Sequence, residues 1–173
     1  MYKFNHMTMR SIEERDLEPL RLMHNDPSTL YNLTDVTFIS QEMQKSWYKS
    51  LDKAHSKRYV IEDMFGLVAF VRIDEINSIN KNACIGLDIM VDRRGKGNGK
   101  KCYDLLLTYL FDQLNMNMLW LYTAEFNEAG VHLYNKVGME QCGTLPQMLY
   151  RDGEYHNCIV MYITKEMWKN VKR

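Results

Sequence analysis

The chain has 173 residues, 46% of them hydrophobic, which is enough to fill one core and suits a single domain spanning 1–173. Lysine plus arginine and aspartate plus glutamate both number 22, so the formal charge is zero and no nucleic-acid partner, which would call for a basic excess, is expected. No stretch approaches the ~20 apolar residues of a membrane span, and the N-terminal MYKFNHMTMRS lacks the apolar centre of a secretion signal, so the expected setting is cytoplasmic with no membrane partner.

In chain order, the alternation at Met7, Met9 and Ser11 predicts a first strand. Asp16 stands where it would cap a helix through Leu17, Leu20, Leu22 and Met23, and Asp26-Pro27 breaks that helix and opens a short second one. Ser40 then caps QEMQKSWYKSL, whose Met43, Trp47 and Leu51 recur every four residues and define one apolar face. From Arg58 the period changes to two. RYVIED, GLVAFVRIDEI and NACIGLDIMV, separated by a turn at 64–66 and the polar NSINKN, read as an antiparallel meander.

A helix from Gly97 to Leu114 follows, carrying the stripe Tyr103, Leu106, Leu107, Leu110 and Leu114. LWLYTAE is the next strand, and NEAGVHLYNKVG is a helix that starts at Asn127 and stops at Gly138. In that helix Ala129, Leu133 and Val137, four apart, predict the face that packs on the sheet. MEQCGTL and NCIVMYIT complete the strands, joined across YRDGEY, where Asp152-Gly153 signals a hairpin. Strand, helix, strand, helix, strand in order from Asn82 to Leu145 argues an α/β fold with helices packed on a sheet. Cysteines at 84, 102, 142 and 158 form no Cys-x-x-Cys pair and no histidine clusters with them, so neither a metal site nor a disulfide framework is expected.

The stretch Arg94-Gly95-Lys96-Gly97-Asn98-Gly99-Lys100 lies between a strand and a helix. Such a turn presents unobstructed N–H groups beside the positive end of a helix dipole, an anion site suited to phosphate. The Walker A pattern fails, because Arg94 stands where its first glycine belongs and Lys101 where its hydroxyl residue belongs. The dinucleotide fingerprint fails because Lys100 replaces its third glycine. The pattern Arg/Gln-x-x-Gly-x-Gly/Ala fits from Arg94 to Gly99 without a gap.

At this loop the sequence resembles the GNAT acetyltransferase superfamily. NEAGVHLYNKVGMEQCGTL is similar to that family's Asn-x-x-Ala-x-x-Leu-Tyr-x-Lys-x-Gly-Phe segment, with Asn127, Leu133, Tyr134, Lys136 and Gly138 in register. It departs from the pattern in the spacing of Ala129 and in Met139, which replaces an aromatic residue. The tail LYRDGEYHNCIVMYITKEMW resembles the last hairpin of the branch containing spermidine, ribosomal-protein N-terminal and amino-sugar acetyltransferases.

The resemblance implies a single GNAT-like domain with a mixed, mostly antiparallel sheet of about seven strands flanked by helices. It also implies transfer of acetyl from acetyl-CoA, as cosubstrate and without a metal, to a primary amine by direct attack in a ternary complex. The acceptor would be a polyamine, an amino sugar or a protein N-terminus. The N–H groups and charges of Arg94, Gly95, Lys96, Gly97, Asn98, Gly99 and Lys100 would hold the pyrophosphate. An N–H among Ile89, Met90 and Val91 would meet the developing oxyanion, and Tyr134 would protonate the departing thiolate. Asn127, seven residues before Tyr134, shares its face and joins the cofactor side.

For the base, relatives often carry a strand glutamate where Cys84 or Ile85 stands here. Asp88 on the same strand, or Glu125 at the end of the next, could act through a water. The missing glutamate leaves a rival reading, a CoA-binding module that has lost transfer. By resemblance, Trp47 and Tyr48 border the acceptor pocket. The acidic N-terminal third, including Asp35, allows a polycationic acceptor but reads first as a solvated surface. Dimerisation is common among similar proteins, so a homodimer is allowed.

Overall fold

The computed structural model describes residues 1–51 and 55–171. In chain order it contains β1 (Tyr2–Phe4), β2 (Met7–Ser11), α1 (Leu17–Asn25), α2 (Pro27–Leu30), α3 (Gln41–Lys49), β3 (Lys57–Asp63), β4 (Gly66–Asn77) and β5 (Asn82–Ile89). It continues with α4 (Asn98–Thr108), β6 (Met118–Ala124), α5 (Glu128–Lys136), β7 (Glu140–Arg151), β8 (Glu154–Thr164) and α6 (Lys165–Val171). The strands form one sheet in the order β1-β2-β3-β4-β5-β6-β8-β7. Every neighbouring pair is antiparallel except β5 and β6, which run parallel.

The sheet has eight strands, against the expected seven or so. The extra one is β1, three residues too short to show a period, turned into β2 by Asn5 and His6 at φ 47° and 65°. The meander and the final hairpin fall where expected, and Asp152 and Gly153 turn the hairpin at φ 52° and 87°, the left-handed pair that matches strand twist.

The core lies between the sheet and α4. Tyr103, Leu106, Leu107 and Leu110 are at most 1% exposed there. Leu114 is not part of that stripe: α4 passes into a wider π turn, Tyr109–Gln113, which rotates the chain and leaves Leu114 exposed. On the opposite face, Ile12, Leu20, Met23 and Val60 form a second cluster with Trp47, Leu51, Phe70 and Met90 around it. In α3, Met43 is exposed and Gln44 is buried, so only Trp47 and Leu51 of the expected triplet pack inward.

Asp16 does not cap α1 with its side chain, because a single 3-10 turn at Glu14–Asp16 precedes the helix. The buried carboxylate instead accepts from Arg10 Nη1 and Nη2 at 2.7 and 3.0 Å and from the Glu13 N–H at 2.8 Å, while Glu62 takes Arg10 Nη2 at 2.7 Å. Burial works to raise the Asp16 carboxyl, but the Arg10 bonds and the Glu13 N–H overcome it and hold the group below its ordinary range. Among the described residues no helix is long and apolar enough to cross a membrane, and no cluster of His, Cys, Asp and Glu could hold a metal ion.

The feature that positions the site is a split in the sheet. β5 and β6 pair only from Asn82–Met118 to Cys84–Trp120. Beyond that point β5 stays with β4 as far as Ile89 and β6 stays with β8 as far as Ala124, so the inner edges of β5 and β6 no longer pair with each other.

Candidate active site

A cavity of about 650 Å³ fills the split. Its walls are β5, β6, the loop from Arg94 to Lys100, α5, and the chain from α2 to Asp35. The Met90 N–H donates to Val68 O at 2.9 Å, on the β4 side. Alternation along the strand then turns the N–H and C=O groups of Leu87 and Ile89 into the split. Ile89 O confirms that direction by accepting from Arg94 Nε at 3.1 Å.

In the loop, Gly95 and Gly97 adopt φ 71° and 73°, and a Cβ built on either would meet nothing within 4 Å. Side chains are disfavoured there by the backbone, and the space they would fill is open. The N–H groups of Gly95, Lys96 and Gly97 find no protein acceptor among the described residues. Asn98, Gly99 and Lys100 form the first turn of α4, whose N–H groups have no intrahelical partner. The result is a run of free donors at a helix N-terminus, the cradle a diphosphate fits.

The side chains around the cradle mostly brace it. Asn98 Nδ2 donates to Arg93 O at 2.9 Å, Lys96 Nζ to Asp92 O at 2.9 Å, and Lys100 pairs with Asp104 at 2.7 Å. Arg94 spans the cavity mouth, with Nη1 donating to Ser28 Oγ at 2.7 Å and Nη2 to Thr29 Oγ1 at 2.5 Å.

On the far wall, Asn127 caps α5 by accepting from the Gly130 N–H at 3.1 Å, and its Nδ2 donates to Thr123 Oγ1 at 2.9 Å. Thr123 keeps its own proton for the Tyr134 phenol, which it faces together with Tyr103. Burial raises the Tyr134 phenol, and so does the charge of Asp88, while Arg72 and the two neighbouring hydroxyls oppose them without cancelling the rise. Tyr134 therefore keeps its proton at neutral pH. In α5 it is Leu133 and Val137 that pack on the core, while Ala129 is exposed and lines the cavity.

The acceptor side of the cavity floor carries a charge pair. Arg72 Nη2 lies 3.1 Å from Asp88 Oδ2, with side chains 34% and 18% exposed, so both reach the cavity. Gly86, opposite Arg72 in the sheet register, makes room for it: a Cβ at Gly86 would stand 2.8 Å from Arg72 Nε. Arg58 on β3 holds Asp74 on β4 at 2.8 Å. Burial pushes the Cys84 thiol up to about 12, so it is protonated and cannot serve as a base. Glu125 is committed to β8, accepting from the Asn157 N–H at 2.8 Å and Nδ2 at 3.0 Å.

Of the residues singled out in the sequence, Asp88, Ile89, Arg94, Gly95, Gly97, Gly99, Lys100, Asn127 and Tyr134 line this one cavity. Lys96 and Asn98 do not line it, and their side chains bond to Asp92 O and Arg93 O. Met90 packs in the second cluster with its N–H spent on Val68, and Val91 opens an exposed 3-10 turn. Trp47 and Tyr48 pack against α1 and β4 and do not line the cavity. Sequence reading missed Arg72, Thr123, Ser28 and Thr29. Only a glycine in mid-strand, Gly86, marked the close approach of Arg72.

The family model for the acetyltransferase (GNAT) domain matches residues 6–140. The chain belongs to that family. It is 27% identical over 166 residues to the spermidine N(1)-acetyltransferase of Vibrio cholerae, covering 95% of this chain and 96% of that one. With the Escherichia coli K12 spermidine N(1)-acetyltransferase the identity is 26% over 161 residues, 92% of this chain and 87% of that one. The crystal structure of the Vibrio cholerae spermidine N-acetyltransferase in complex with CoA and spermine superposes with a TM-score of 0.88 at 27% identity, covering 95% and 99% of the two chains. The chain is thus an acetyl-CoA-dependent N-acetyltransferase that acts on an amine, and the rival reading of a CoA-binding module without transfer finds no support in these relatives.

Proposed function

We propose that residues 1–173 act as one domain that acetylates a primary amine of a small aliphatic polyamine, with Tyr134 as general acid. The observation that carries this reading is that the loop and helix start at Gly95, Gly97, Gly99 and Lys100 and the half-buried Tyr134 line one cavity at the split. Acetyl-CoA would lie with its pyrophosphate on the loop N–H groups and its thioester oxygen toward the Ile89 N–H, which narrows the oxyanion donor from three residues to one. The amine attacks the thioester carbon, the C–S bond breaks, and sulfur takes the Tyr134 proton. Asp88, paired with Arg72 on the cavity wall, would collect the proton shed by the amine through a water. The names of the relatives and the carboxylates of Asp35, Asp74 and Asp88 along the acceptor wall favour a polyamine.

One observation favours a second acceptor class. Arg72 Nε and Nη1 donate to no protein acceptor among the described residues, and Gly86 lays the guanidinium against the cavity floor, an arrangement suited to an amine that also carries an anionic group. A panel of spermidine, amino-sugar phosphates and N-terminal peptides, read by thiol release from acetyl-CoA, separates the two. Preferred turnover of spermidine supports the first reading and preferred turnover of the amino-sugar phosphate the second. If no amine releases thiol, both fail.

A further inference from the structure

Tyr103 is 0% exposed and its hydroxyl closes no hydrogen bond of ordinary geometry, although it lies near enough to the Tyr134 phenol to hold that group down. An unpaired buried hydroxyl is costly, and a phenylalanine would fill the same volume without that cost. Its surroundings show what the hydroxyl can do. The rings of Tyr103 and Tyr134 meet edge to face, with centroids 5.7 Å apart at 78°. Thr123, Asp88 and Arg72 also act on the Tyr134 phenol, Asp88 raising it and the other two lowering it.

We propose that Tyr103 is a positioning residue for acetyl transfer, its O–H held for the Tyr134 oxygen and engaged fully when Tyr134 has given up its proton. The inference rests on the reading of Tyr134 as general acid. In that step the N–C bond forms and the C–S bond breaks with its electron pair on sulfur. Sulfur takes the Tyr134 proton, and the negative charge comes to rest on the Tyr134 oxygen. Tyr103 and Thr123 then donate to that oxygen while Tyr103 keeps its own proton. The proton shed by nitrogen reaches solvent, and solvent returns one to Tyr134, so nothing is consumed.

A hydrogen bond to a charged acceptor is about twice as strong as one between neutral groups. A donor without a well-formed bond in the resting state therefore acts most where charge develops, which is the kind of interaction that speeds a reaction. Burial pushes the Tyr103 phenol well above its ordinary range, so it serves as a donor and does not compete as an acid.

The test compares wild type, Tyr103→Phe, Tyr134→Phe and the double variant, by thiol release from acetyl-CoA with whichever amine of the panel reacts fastest. Tyr103→Phe should lower kcat about tenfold, leave KM for acetyl-CoA within about twofold, and leave the thermal midpoint equal or higher, because it removes an unpaired group. In the Tyr134→Phe background the same change should cost nothing further. Tyr103→Met, which fills the space with neither ring nor hydroxyl, should repeat the loss of turnover. Full turnover in Tyr103→Phe with slow Tyr134→Phe overturns the proposal and leaves the general acid standing. An equal loss in both backgrounds assigns Tyr103 to packing and also overturns it. Full turnover in Tyr134→Phe removes the general acid itself, and the proposal with it.

Discussion

Two seams of the sheet, the antiparallel β3–β4 and the parallel β5–β6, behave differently. β3 and β4 stay in register from Lys57–Ile73 to Asp63–Gly66, with a single irregularity, whereas β5 and β6 separate after three residue pairs. Beside the first seam, the Arg10–Asp16–Glu62 cluster satisfies its charges within the protein. Beside the second, the loop N–H groups, two nitrogens of Arg72 and the Tyr103 hydroxyl make no well-formed bond to a protein acceptor. Stability is concentrated where charges pair within the protein, although the buried Arg10 Nε has no partner there, and chemistry where donors are left for a ligand to complete.

Substitutions at the two seams should therefore fail in opposite ways. The largest effect is expected from Asp16→Asn, which removes the carboxylate that holds both Nη atoms of the buried Arg10 and leaves it only the partly exposed Glu62. It should lower unfolding free energy by about 3–5 kcal/mol, read by urea denaturation, while acetyl transfer per folded molecule is unchanged. The carboxyl is held below its unfolded range, so its contribution is complete above that range and is lost as pH falls through the folded value. Wild type and variant should accordingly converge in acid. A variant as stable as wild type at neutral pH would break the contrast.

Tyr134→Phe should do the reverse, lowering kcat by about 10²-fold or more with little change in acetyl-CoA affinity or melting temperature. A comparable loss of stability would mean that the phenol belongs to the closed part of the molecule. Acetyl-CoA at about a hundred times its Kd should add about 2.7 kcal/mol to stability, seen as a rise in melting temperature, and spermidine alone should add less. Absence of any shift would deny the loop its ligand. The smallest effect is expected from Gly97→Ala. The left-handed backbone there costs a side chain about 1–2 kcal/mol, and weaker acetyl-CoA binding should accompany the strain, measured by calorimetry.

What was legible in the sequence was local. The loop from Arg94 to Lys100 could be read because a helix N-terminus and its glycines act within one short stretch, and Tyr134 because it follows its cap by two turns. The meander showed through its period and the last hairpin through Asp152-Gly153. What escaped depends on register between strands. Arg72 meets Gly86 and Asp88 only because β4 and β5 align as they do, and Thr123 reaches Tyr134 only because Asn127 holds it. Asp16 misled because its spacing to the helix suits a cap, while the pull of a buried arginine on a neighbouring strand leaves no mark in the sequence near it.

Arg94 ties the glycine loop to Ser28 and Thr29, residues that lie on the other bank of the cleft. One side chain thus bridges the half that grips the donor and the half that admits the acceptor. Loosening either bank should be felt across it by thermodynamic linkage: Thr29→Val, remote from the glycines, should alter acetyl-CoA affinity, and bound acetyl-CoA should in turn change how tightly the amine is held.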